Sequence, residues 1–163
     1  MIEKLFIDSI QQRFTDIKKQ GDGTISQLSI EEMQWIPNSD SNSIAILMKH
    51  ICGNIDSRST DFLTTDGEKS SRNRDDEFVD DSFSKEELIA SWEKSWNLLF
   101  QTIEQLSPTD LEKNVMLKGK EISVVEALHR QLAHYATHVG QIMYIGKLIK
   151  KEQWKTLSIP KKA

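Results

Sequence analysis

Apolar residues recur at three- and four-residue steps in four stretches of the chain, the spacing of amphipathic helices. In residues 2 to 19, Ile2, Leu5, Phe6, Ile10, Phe14 and Ile17 form one stripe, and Gly21-Asp22-Gly23 is expected to stop that helix. A linker with short apolar islands follows: Ile25, Leu28, Met33, Trp35 and Ile36, up to Pro37. The second helix is expected to start near Ser41 to Ser43, where Ser and Asn can cap free N–H groups, and to end by Phe62 or Leu63. Along it Leu47, His50, Ile51, Asn54, Ile55 and Arg58 lie near one another.

Residues 64 to 82 are polar and long for a connection inside a compact domain, and such loops are usually functional or disordered. The third helix opens at Ser84-Lys85-Glu86-Glu87, a capping box, carries Leu88, Trp92, Leu99, Ile103 and Leu106, and stops at Ser107-Pro108. Lys118-Gly119-Lys120 predicts one turn or a small hairpin. The fourth helix opens with a second capping box, Ser123 to Glu126, and runs to about Ile149. It carries two stripes, Val125, Leu128, Leu132, Val139 and Ile142 on one, and Ala127, Gln131, His134, His138, Gln141 and Ile145 on the other. Two inward stripes mean partners on two sides. The tail, with Trp154, Leu157 and Ile159, is expected to dock. With no convincing strand run, the pattern reads as an all-α fold, a four-helix bundle whose long second connection leaves room for a crossover.

Composition narrows the function classes. A chain of 163 residues fits a single domain, residues 1 to 163, and buries roughly 70% of its unfolded surface. The net charge of -4 argues against general nucleic-acid binding. No stretch approaches the ~20 apolar residues of a membrane span, and the N-terminus lacks the order of a signal peptide. The one cysteine, Cys52, excludes an intrachain disulfide and suits a reducing, cytoplasmic location. The basic tail, Lys147 to Lys162, can complement the dipole of the last helix. Phosphate loops, dinucleotide fingerprints, CxxC pairs and serine nucleophile elbows are absent from the sequence.

The chemistry that remains is in the histidines. His134 and His138 sit ~40° apart around one helix and ~6 Å apart along it, close enough to reach one metal ion. On an inward stripe, two imidazoles need hydrogen-bond partners or a metal. His50, mid-helix in the second segment, is the candidate third ligand, and three nitrogens with an open position are the arrangement of a catalytic zinc site. His129 lies ~140° from His134 and should not reach the same ion. Cys52 lies ~200° from His50 and reads as a small buried hydrophobe. Trp92 and Trp96 read as core or dimer contact. Gln131 reads as a polar helix contact, whereas Gln141 or Asn54 would orient ligands or substrate. The run Arg72 to Phe78 is either a solvated loop or a lid bringing Arg74, Asp75 or Glu77 to the site. A carboxylate there could complete the metal shell or act as general base.

The second-helix run Ser43 to Ile51 and the final-helix run His134 to Ile142 resemble the DinB-like (DinB/YfiT) superfamily of predicted metalloenzymes. The stretches Asp61 to Lys69, Arg72 to Phe78 and Trp154 to Pro160 resemble an uncharacterised subfamily of that group. The resemblance implies a four-helix bundle with a crossover, often a homodimer, and a divalent ion, commonly zinc or nickel, held by His50, His134 and His138. Relatives in that group include thiol S-transferases and a thiol-dependent isomerase, so the resemblance implies a thiol cosubstrate, while metal-assisted hydrolysis of a small molecule fits the chemistry of such a site equally well. The alternative is a non-catalytic, stress-associated protein in which the metal crosslinks helices.

Overall fold

Serine caps start the α-helices after the first in this computed structural model, which describes residues 1–79 and 83–159. The chain is mostly helical: α1 (Ile2–Ile25), a short α2 (Ile30–Gln34), α3 (Ile44–Ser59), α4 (Lys85–Glu104) and α5 (Val124–Lys150), with strands β1 (Asn114–Leu117) and β2 (Lys120–Ser123) between α4 and α5. Ser43 Oγ accepts from the Ile46 N–H to start α3, and Ser84 and Glu87 satisfy each other's end groups at α4. At α5 only half of the expected box forms. Ser123 Oγ accepts from the Glu126 N–H, but the Glu126 carboxylate instead accepts from Arg130 Nε at 2.7 Å.

Three expectations need correction. The Gly21-Asp22-Gly23 run does not stop α1, which continues to Ile25. A Cβ on Gly21 would lie 2.7 Å from Trp92 Cζ2, so this glycine serves close packing of α1 on α4 rather than a turn. Asp22, beside it, accepts from Trp92 Nε1 at 2.8 Å. Second, α3 ends at Ser59, short of Phe62, where Asp61 takes a left-handed conformation (φ 49°). Third, the chain does contain strands. β1 and β2 pair antiparallel around Lys118-Gly119, Val115 opposite Ile122, the hairpin option of the sequence reading.

The four long helices share one core. α1 packs on α5 and α4, and α3 packs on α4 and α5. Phe14, Trp92, Trp96, Leu99, Tyr135 and Val139 are fully buried between them. Trp92 and Trp96 are therefore core residues. Trp154 and Leu157 dock on α5 and α1 at Gly146 and Gly23, but Ile159 stays exposed. Residues 80 to 82 of the long connection, and Pro160, Lys161 and Lys162 of the tail, lie outside the described residues.

The long connection is not a free loop over its described length. The Asp66 carboxylate accepts from the backbone N–H groups of Glu68, Lys118 and Gly119, which ties the connection to the hairpin tip. Ser57 on α3 donates to the Gly67 carbonyl and accepts from the Lys69 N–H. These bonds bring the 3-10 turn Asp75–Phe78 against α3, over His50. No helix is long and apolar enough to cross a membrane among the described residues.

Candidate metal centre

Two helix faces and one loop converge on the histidines. His50 projects from α3, and His134 and His138 from successive turns of α5, which packs against α3. Their ligand nitrogens all lie within 4.8 Å of one another. The rings stand nearly perpendicular, with centroids 4.5 to 5.0 Å apart. His50 Nε2 and His134 Nε2 are 3.1 Å apart. Two nitrogens at ~2.0–2.1 Å from one tetrahedral ion are separated by about 3.4 Å, so the cluster already has nearly the spacing a bound ion requires.

The outer nitrogens decide which inner ones are free. His50 Nδ1 is 2.9 Å from Glu77 Oε2. An ionised carboxylate only accepts, so the proton is on Nδ1 and the Nε2 lone pair faces the cluster. His138 repeats the device, with Nδ1 2.8 Å from Gln141 Oε1. Glu77 is itself held: Arg72 donates to both of its oxygens, at 2.7 and 2.8 Å. Burial raises the Glu77 pKa, but the hydrogen bonds from His50 and Arg72 and the Arg72 charge outweigh it and keep the carboxyl below its ordinary value. Burial lowers His134 to about 4, helped by the other two histidines and by Arg72 and Arg58. His138 is also lowered, again mainly by burial. Both are thus neutral, the form that ligates metal, at physiological pH.

Gly53, one turn of α3 after His50, makes room for this arrangement. A Cβ there would collide with Glu77 Oε1 and lie 2.8 Å from its Cδ. Phe78 covers the His50 ring with centroids 4.9 Å apart, and the Arg74 guanidinium lies over Phe78 at 5.0 Å.

The cluster opens into a cavity of about 630 Å³ to which His50 and His134 both contribute wall. That volume is in the range of small-molecule sites. Its walls include Asn54 and Gln131, tied together by the Tyr135 hydroxyl at 3.1 and 3.3 Å. Arg74 lines it as well, whereas Asp75 is exposed on the surface and is not part of its wall.

Each candidate residue now has a place. His50, His134 and His138 come together, and Gln141 supports His138. Asn54 lies on the cavity wall. Glu77 reaches the site by way of His50, with both oxygens engaged, which suits an orienting partner better than a free general base. His129 points elsewhere and packs edge-on against Phe6 on α1. Cys52 is buried, and burial pushes its thiol up to about 12. Sequence reasoning underrated Gln131, which is buried on the cavity wall, and named no role for Arg72. Arg72 and Glu77 are five apart on a non-helical segment, and no periodicity pairs such residues. Arg58, by contrast, was visible on the His50 side of α3.

No curated protein matches the chain. A family model described as "Protein of unknown function (DUF1572)" matches it from end to end, so the chain belongs to that family over residues 1–163.

Proposed function

We propose that this protein is a metal-dependent enzyme of the DinB-like group, a four-helix bundle with a crossover connection, acting on a small molecule beside His50, His134 and His138. The observation that carries the reading is the convergence of three histidine nitrogens, two of them, on His50 and His134, from residues that line a ligand-sized cavity. A metal holding helices together for stability alone has no need of such an opening, so the cavity favours catalysis over the non-catalytic alternative. The donor set fits a divalent ion with an open position, zinc or nickel by ligand type.

A bound ion supplies Lewis acidity, which favours the anionic form of a thiol or water nucleophile. The chain's own residues prepare for it. Glu77 and Gln141 hold protons on the outer nitrogens of His50 and His138. Arg72 fixes the Glu77 carboxylate. Phe78 shields one face of His50 from water. The carboxylate in contact with the cluster is fully engaged, so proton abstraction from water has no free base there. A thiol, with an ordinary pKa near 8.5, needs far less help than water. This favours thiol transfer over hydrolysis. A two-fold homodimer is part of the proposal, as the commonest assembly of such chains.

The test is metal content per chain by elemental analysis, with His50→Ala alongside, followed by thiol consumption with electrophilic substrates. Near-stoichiometric zinc or nickel, lost in the variant, is the expected result. Protein that takes up no added zinc, nickel or manganese overturns the reading.

A further inference from the structure

The cavity beside the histidines has a charge character opposite to that of the chain. The whole protein carries -4, yet Arg58, Arg72, Arg74, Lys118, Lys120 and Arg130 all line this one cavity. The carboxylates on the same wall are Glu68 and Glu121. Part of the positive charge is spent: Arg72 on Glu77, Arg58 Nη2 on Glu68 at 2.9 Å, and Arg130 on Glu126. Lys118 stands 4.0 Å from Glu68, which Arg58 already engages. Arg74 and Lys120 have no carboxylate within ion-pair distance among the described residues. Arg58 Nη1 is buried with no hydrogen-bond partner. A cleft lined by one sign of charge with low-dielectric walls concentrates ligands of the other sign.

The rest of the wall is apolar. Phe62 from the connection, Val115 and Leu117 from β1, Ile122 from β2 and Ala127 from α5 contribute carbon surface. The hairpin thus supplies both kinds of contact: Lys120 shares a face with its partner Leu117 and with Ile122 and Val115, and Lys118 sits at the turn beside them.

We infer that the cavity binds a small organic anion, a carboxylate or phosphate monoester with an apolar body. Its anionic group lies toward Arg74 and Lys120, its apolar body lies along the hairpin, and its reacting end faces His50 and His134. The inference names the substrate class of the enzyme proposed above and rests on that reading for the reacting end, but anion binding can be measured without turnover.

Phenylacetate and phenyl phosphate serve as probes, with 2-phenylethanol as the uncharged control, titrated calorimetrically into metal-loaded and chelator-treated protein. Arg74→Gln and Lys120→Gln are the variants. Both residues are exposed and pair with no carboxylate, so folding, checked by circular dichroism, should be intact. Each removed charge should weaken anion binding about two- to five-fold, and added salt should weaken it further. The two probes separate a carboxylate from a phosphate preference. Anions that bind no better than 2-phenylethanol overturn the inference. So does anion binding that is unchanged in both variants and vanishes with the metal, because the ion alone would then be the receptor. Metal content of the same samples keeps the two readings apart. Metal uptake without anion binding defeats this inference only, and anion binding without metal uptake defeats the metal reading only.

Discussion

Two aromatic clusters, one fully buried and one only partly so, are built on opposite rules. Between α1, α4 and α5, Phe14, Trp92, Trp96 and Tyr135 pack with ring centroids 5.4 to 6.5 Å apart. Between α3 and α5, three imidazoles pack at 4.5 to 5.0 Å. In the first cluster shape dominates, and it tolerates a buried Trp96 Nε1 with no hydrogen-bond partner. In the second, Glu77 engages His50 Nδ1, and His50 Nε2 is turned toward His134 Nε2, 3.1 Å away. A core is specified by volume, and a ligand cluster by where its protons are.

The sharpest way to break this comparison is to remove a ring from the histidine cluster. His134→Ala or His138→Ala should abolish stoichiometric metal uptake, read by elemental analysis, while His129→Ala, which only loses its contact with Phe6, should keep it. Equal loss in all three would mean that the cluster is not the site. Removing a ring from the other cluster should do the reverse. Trp96→Ala should cost about 3–5 kcal/mol in denaturant unfolding, with metal stoichiometry retained in the folded protein.

Smaller changes probe the proton placement itself. Glu77→Gln leaves His50 its partner atom but removes the charge, and metal affinity should fall about 10–100-fold in a chelator competition. It should also lower stability, because the Arg72 side chain, 6% exposed, loses its counter-charge. Gly53→Ala separates the two effects. Alanine favours the helix by up to about 1 kcal/mol, yet its Cβ displaces the Glu77 carboxylate, so metal affinity should drop with little loss of helix content by circular dichroism.

Acid should act on the same region. The His134 pKa is near 4 when folded and ordinary, near 6.5, when unfolded. Between those values the unfolded chain binds more protons, so the stability of metal-free protein should fall as pH drops through that window. Glu77, depressed in the fold, adds a loss in the same direction at lower pH, below its ordinary value of 4.5. His138, also lowered by burial, adds to the same slope. Thermal unfolding in chelator at pH 7.5, 6 and 4.5 should therefore show a shallower fall in His134→Ala, and a slope as steep as the parent's would remove that ring from the account.

The helices themselves were legible in the chain. Periodicity placed the four long helices, Ser43 and Ser84 marked two starts, and spacing on α5 put His134 and His138 on one face while setting His129 apart. These are local properties, fixed by 3.6 residues per turn and by hydrogen bonds between near neighbours. What escaped depended on partners distant in sequence. Gly21 looks like a stop until Trp92 is known to press on it, 71 residues later. Asp66 looks like a loop residue until the tip of the β-hairpin donates two N–H groups to it. The run from Arg72 to Phe78 could be solvated loop or lid by composition. Only packing against α3, at the space left by Gly53, turned Glu77 inward to His50 and Arg72 onto Glu77. The sequence by itself determined which side chains could share a helix face. The tertiary structure decided which faces met, and therefore which nitrogen of His50 was left free, because that choice rests on a hydrogen bond to Glu77 that no local periodicity encodes.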